Sequence, residues 1–154
     1  MSKPIHKILT ISPTLDTSAY TSGDRMGSLV TLTDATANVG GRLKIVSANV
    51  IDLASQNAQF DILLFNASPT IASADNAAIS IDDTNIAYLV GVIPIVTADY
   101  TTAYAANSQA TKGNINLIIS ASTTAKNLYA LLVSRGSPTY AAGSLTIKLG
   151  VEQL

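Results

Sequence analysis

The sequence predicts an all-β fold: one antiparallel β-sandwich of about eight strands, jelly-roll-like, filling residues 1–154 as a single domain. Three observations predict it. Short apolar segments recur along the whole chain, turn residues separate them, and several segments alternate apolar with polar at period two. No stretch carries a durable stripe at the helical period, and no internal repeat or composition break marks a second domain.

The first segment is IHKILTI (Ile5–Ile11), set in an irregular lead-in that runs to about Asp24. Pro4, Pro13 and polar turns give residues 1–24 the character of an extended arm, expected to reach a partner. SLVTLTDA (Ser28–Ala35) and RLKIVSANVIDL (Arg42–Leu53) follow, and the Gly40-Gly41 pair between them suits a hairpin connection. After a short polar break comes QFDILLFN (Gln59–Asn66), then NIAYLVGVIPIV (Asn85–Val96). Pro94 cannot donate to a ladder, so this last strand is expected at an edge or a bulge.

NINLIISAS (Asn114–Ser122), NLYALLVSR (Asn127–Arg135) and SLTIKLGVEQ (Ser144–Gln153) complete the set. In the last, Leu145, Ile147, Leu149 and Val151 alternate with Thr146, Lys148, Gly150 and Glu152, which places one set inward and the other outward. Ile115, Leu117, Ile119 and Ala121 alternate in the same way, interrupted by Ile118. Leu117, Ile119, Leu128, Leu132, Leu145, Ile147 and Leu149 are therefore the expected core. The unbroken runs DILLF and ALLV predict central strands covered on both faces, by the chain itself or by a neighbouring subunit. Residues 74–85 and 97–113 read as long loops with at most a helical turn.

Composition narrows the function classes. Charged residues make up 12% of the chain, about half the usual share, and the net charge is −1. The nine Lys and Arg are scattered singly, so no electrostatic footprint for nucleic acid exists. A surface with so little charge is expected to associate with other chains. The chain has no cysteine, which excludes disulfides and thiolate metal sites. No run approaches the ~18 apolar residues of a membrane helix, and the basic start lacks a secretory core, so synthesis in the cytoplasm is expected.

Candidate chemistry is sparse. His6 is the single histidine and has no nucleophile or orienting acid beside it in sequence. Asp75, Asp82 and Asp83 could in principle supply oxygen ligands to calcium, but they lack the alternating acid and glycine spacing of a calcium loop. Turn capping is the ordinary use of such aspartates. The chain is accordingly expected to be no enzyme and to need no cofactor. The residues expected to meet other chains are Ile5, Ile8, Pro13, Tyr20, Pro94, Tyr100, Tyr104 and Tyr140, because loop tyrosines and apolar edges are favoured at interfaces. Tyr140, in the loop GSPTYAAG, is expected to point outward.

Two stretches, SAYTSGDRMG (Ser18–Gly27) and VSRGSPTYAAGSLTIKLGVEQ (Val133–Gln153), resemble a family of small virion proteins of tailed bacteriophages. The resemblance implies a repeated particle component located on the virion, and among these a capsid decoration (cement) protein bridging major capsid proteins. It further implies a homo-oligomer, a trimer rather than a dimer. Two other readings stay open: a tail, connector or head-fibre component with the same architecture, and a carbohydrate-binding module. The absence of tryptophan weighs against the second.

Overall fold

The computed structural model of the protein describes residues 3–101, 104 and 106–154. Nine strands appear in it: β1 (Ile5–Ile11), β2 (Arg25–Leu32), β3 (Arg42–Asp52), β4 (Phe60–Phe65), β5 (Leu89–Ile95), β6 (Ser108–Lys112), β7 (Leu117–Ser120), β8 (Leu128–Ser134) and β9 (Leu145–Gln153). One sheet runs β1-β9-β3-β6, with β7 also pairing β3; the other runs β2-β8-β4-β5. Every pairing is antiparallel.

The pairings nest. β1 joins β9, β2 joins β8, β4 joins β5, and β6 and β7 share the free side of β3 as two halves of one broken strand. A ribbon of nested antiparallel pairs wrapped into two sheets is a jelly roll. Wrapping places each of the first four strands in the opposite sheet from the one before it, which corrects one expectation. The Gly40-Gly41 turn does not close a hairpin; it carries the chain from β2 in one sheet to β3 in the other. Its left-handed Gly40 donates instead to the Ala125 carbonyl at 3.0 Å. Turn chemistry specifies a reversal, whereas the partners are chosen by the long ladders with β8 and β9.

The inward faces form one core that contains Ile11, Leu43, Phe60, Ile62 and Leu64 together with six of the seven expected core residues. The seventh, Leu117, is only partly buried, because β7 is short and lies at an edge. Its side chain reaches across to β5: a Cβ on Gly91 would lie 2.7 Å from Leu117 Cδ2.

The continuous apolar runs have a separate cause. On the outer side of β4 and β8, Leu63, Phe65, Leu131 and Val133 form a second buried cluster. Ile71, Ile79, Ile81 and Tyr88, from the long connection between β4 and β5, lie over it. Full burial of such a side chain is worth about 2 kcal/mol, and these four are partly buried, so together they hold the connection down and the chain covers this face itself. Within that connection, α1 (Asp83–Ile86) is a single turn whose N-cap, Asp82, accepts from Asn85 N at 2.8 Å. The other expected loop, residues 97–113, contains a 3-10 turn at Thr97–Asp99 and strand β6; Thr102, Ala103 and Ala105 lie outside the described residues. Among the described residues no helix is long and apolar enough to cross a membrane.

Candidate interaction surface

From Ile5 onward the lead-in runs along the sandwich; Met1 and Ser2 lie outside the described residues. Ile5–Ile11 is paired with β9 in unbroken register from Ile5 opposite Gln153 to Ile11 opposite Ile147. The chain then crosses to the other sheet, burying Pro13, Leu15 and Tyr20. Pro13 is buried at the point where a Cβ on left-handed Gly27 would come within 2.8 Å of its own Cβ.

The other seven expected contact residues differ in exposure. Ile5 and Ile8 are exposed on β1, Pro94 is exposed on β5, and Tyr104 is 63% exposed. Tyr100 is partly buried and donates to the Ala58 carbonyl at 2.7 Å. Tyr20 is fully buried, and Tyr140 is 2% exposed rather than presented outward. The reason is the wrapping: the loops that carry these rings fold back over the sandwich and use them as core. A ring in that position can touch no second chain while the fold is closed.

Burial sets the chemistry of the three inner tyrosines. Desolvation pushes the hydroxyls of Tyr20, Tyr100 and Tyr140 well above the ordinary tyrosine range, so all three are neutral. Tyr20 donates to Asp75 Oδ1 at 2.9 Å and accepts from Asp16 N at 2.8 Å. The Tyr140 hydroxyl has no partner among the described residues.

The aspartates are likewise spent on the backbone. Asp75 also accepts from Gly27 N at 2.7 Å, while Asp82 caps α1 and Asp83 lies exposed in its first turn. These acids therefore serve separate turns, and no group of three His, Asp or Glu side chains stands together among the described residues. Asp52 is fully buried at the end of β3 and accepts from Ala54 N, Gln56 N and Asn57 N at 2.9, 2.7 and 3.1 Å. Those bonds hold a tight loop with left-handed Ser55 and Asn57.

The outer face of the five-stranded sheet is where exposed apolar surface and charge meet. The register sets His6, Glu152, Lys44 and Ile118 side by side across four strands. Lys44 Nζ lies 2.7 Å from Glu152 Oε2 and His6 Nδ1 lies 4.0 Å from Glu152 Oε1. The hydrogen bond from Lys44 holds the Glu152 carboxyl below its ordinary value. Ile118, 56% exposed, ends this row. The next row sets Ile8 against Gly150 and Gly150 against Ser47.

Between the two rows lies a shallow groove of about 360 Å³, lined by Ile8, Val46, Gly150 and Val151 and bounded by His6 and Glu152. Two features open it: Gly150 carries no side chain, and β3 bulges at Val46, between Ile45 and Ser47. The sequence signals for this face were the odd Ile118 in an alternating strand and a glycine at an outward position. Neither identified the groove; the bulge itself shows only as adjacent Ile45 and Val46, which slip the alternation of Leu43–Val50 by one residue. The arrangement offers docking surface and charge, with the Ser47 hydroxyl also in the lining.

No family model and no curated protein matches the chain. Among solved structures, the chain is similar to a chain in the structure of the infectious bursal disease virus Gx strain, at 15% identity and a TM-score of 0.43, over 99% of this chain. It spans only 32% of that chain's length. It is also similar to a chain of desmodium yellow mottle tymovirus, at 15% identity and a TM-score of 0.28, covering 99% of this chain and 82% of that one.

Proposed function

We propose that the protein is a structural component of a virus particle, and within that class a capsid decoration protein that binds across joints between major capsid proteins. The observation that carries this reading is the exposed apolar surface of a chain with 12% charged residues: Ile5, Ile8, Val92 and Ile118 are exposed on the sheets, and Val39 and Leu53 in the connections. Side chains of this kind are stabilised when another chain removes them from water. The resemblance of Ser18–Gly27 and Val133–Gln153 to small phage virion proteins supports the kind of assembly. Multivalent attachment to a repeating lattice lets each copy contribute only a modest contact.

A tail, connector or head-fibre role uses the same surface and differs in copy number. The carbohydrate-binding reading loses support from the burial of Tyr20 and Tyr140, which removes two of the rings that could have formed a sugar platform. The test is stoichiometry by quantitative mass spectrometry of purified particles. A decoration protein scales with the major capsid protein; a tail or connector component is far rarer, and absence from particles overturns the proposal.

A further inference from the structure

We infer that the outer edge of β1 is a self-association site, where a second copy of the chain adds its own β1 antiparallel and joins two five-stranded sheets into one. The argument begins with the edges. A jelly roll leaves unpaired backbone at the rim of each sheet, and proteins ordinarily blunt such edges.

Three rims here are blunted. In β5, Pro94 has no N–H to offer, and its carbonyl is taken by Lys112 Nζ at 2.8 Å. β2 breaks register between Met26 and Val30, and its start is covered by Asn76, Ala77 and Ala78. β6 and β7 are five and four residues long, with left-handed Asn114 and Asn116 between them, and Thr101 N already bonds Gln109 O beside β6. β1 has none of these devices. It is seven residues of unshifted ladder with no proline, paired on one side only among the described residues, and it exposes Ile5 at 57% and Ile8 at 60%.

Self-complementarity selects a second copy as the occupant. Antiparallel pairing must keep inward residues opposite inward ones, so the two-fold axis passes beside one residue. Centring on Lys7 sets two ammonium groups against each other, which is destabilising. Centring on Leu9 leaves Ile5 opposite Pro13, beyond the strand. Centring on Ile8 pairs every residue of the strand: Ile5 with Ile11, His6 with Thr10, Lys7 with Leu9, and Ile8 with itself. No like charges oppose each other there, and Lys7 Nζ is drawn aside to the Asp34 carbonyl at 2.8 Å. Ile8, flanked by Gly150 on each side, then forms a continuous apolar row across the axis.

This two-fold contact differs from the trimer that the phage resemblance implies, and it is testable in isolation. The chain has no cysteine, so single introduced thiols report position without background. Under mild oxidation Ile8→Cys should cross-link to a dimer, since directly opposed side chains lie ~5 Å apart. A mixture of His6→Cys and Thr10→Cys should give the mixed dimer, and exposed Ile118→Cys should stay uncross-linked. Light scattering should give a concentration-dependent dimer. Ile8→Glu should weaken it at least about tenfold with the thermal midpoint of the monomer unchanged, because two carboxylates would face each other at the axis. A chain that stays monomeric at all concentrations overturns the inference. So does an oligomer that Ile8→Glu leaves intact, or an Ile8→Cys variant that cross-links no better than Ile118→Cys.

Discussion

The Tyr20 hydroxyl donates to Asp75 Oδ1 at 2.9 Å, tying the lead-in to the connection between β4 and β5 across 55 residues of sequence. The same carboxylate oxygen accepts from Gly27 N, so one buried ring and one aspartate fix three segments together. Tyr140 is equally buried and its hydroxyl bonds nothing among the described residues. The pair predicts opposite outcomes for one chemical change. Tyr20→Phe should cost about 1–2 kcal/mol by chemical denaturation, because Asp75 loses a donor and Asp16 N an acceptor. Tyr140→Phe should be neutral or stabilising by up to about 1 kcal/mol, since only an unpaired group is removed. A clear loss of stability in the second variant would mean that the hydroxyl has a partner.

Asp52, fully buried, accepts from three backbone N–H groups. Asp52→Asn keeps the shape but turns an amide N–H₂ toward backbone donors that now have no acceptor, and about 2 kcal/mol should be lost. Proteolysis should then open the loop at residues 53–57 before it attacks the sheets. Equal loss of protection everywhere would contradict this local role.

Gly27 is left-handed, and a Cβ there would approach Pro13 Cβ at 2.8 Å and Thr14 O at 3.0 Å. Gly27→Ala should therefore cost about 2 kcal/mol, through strain and displacement of the lead-in. Gly143 is also left-handed but nothing lies within 4 Å of its Cβ position, so Gly143→Ala carries the strain alone. Thermal midpoints of the two variants should differ in that order; the reverse order would mean the crossing after β1 is not packed as described.

Acid sensitivity follows from three lowered carboxyls. Asp16 is lowered chiefly by the Ser18 backbone N–H, Asp82 by the Asn85 backbone N–H, and Glu152 by the Lys44 ammonium. Each has a folded value below its unfolded one of 3.8, 3.8 and 4.5 respectively. Their contribution is thus complete above the unfolded values and is lost as pH falls through the folded ones. Wild type should lose more stability between about pH 6 and about pH 3 than the Asp16→Asn, Asp82→Asn, Glu152→Gln variant. Parallel pH profiles would remove these groups from the account.

Much of the fold was legible in the sequence where the code is local. Leu145 to Val151 declared their faces by alternation, and Pro94 declared an edge, which β5 occupies. What the sequence could not give was pairing at a distance. The Gly40-Gly41 turn reads as a hairpin on its own and becomes a crossover only because β2 finds β8. Strand β6, SQATK, was missed because its residues are polar or small and its strand state is imposed by β3. The loop tyrosines misled for a related reason: the sequence marks Tyr20 and Tyr140 as loop residues, while burial depends on where the wrapped chain places them. Ile5 and Ile8 are exposed as apolar residues of β1, although the ladder that sets their faces is made with β9 at the other end of the sequence.

The most direct test of the central proposal is an electron cryo-microscopy reconstruction of particles carrying the chain. The account predicts density matching this sandwich on the outer shell, repeated at joints between major capsid proteins, with the exposed apolar side chains buried against neighbouring chains. Particles whose shells lack that density, although the chain is expressed during their assembly, would contradict it.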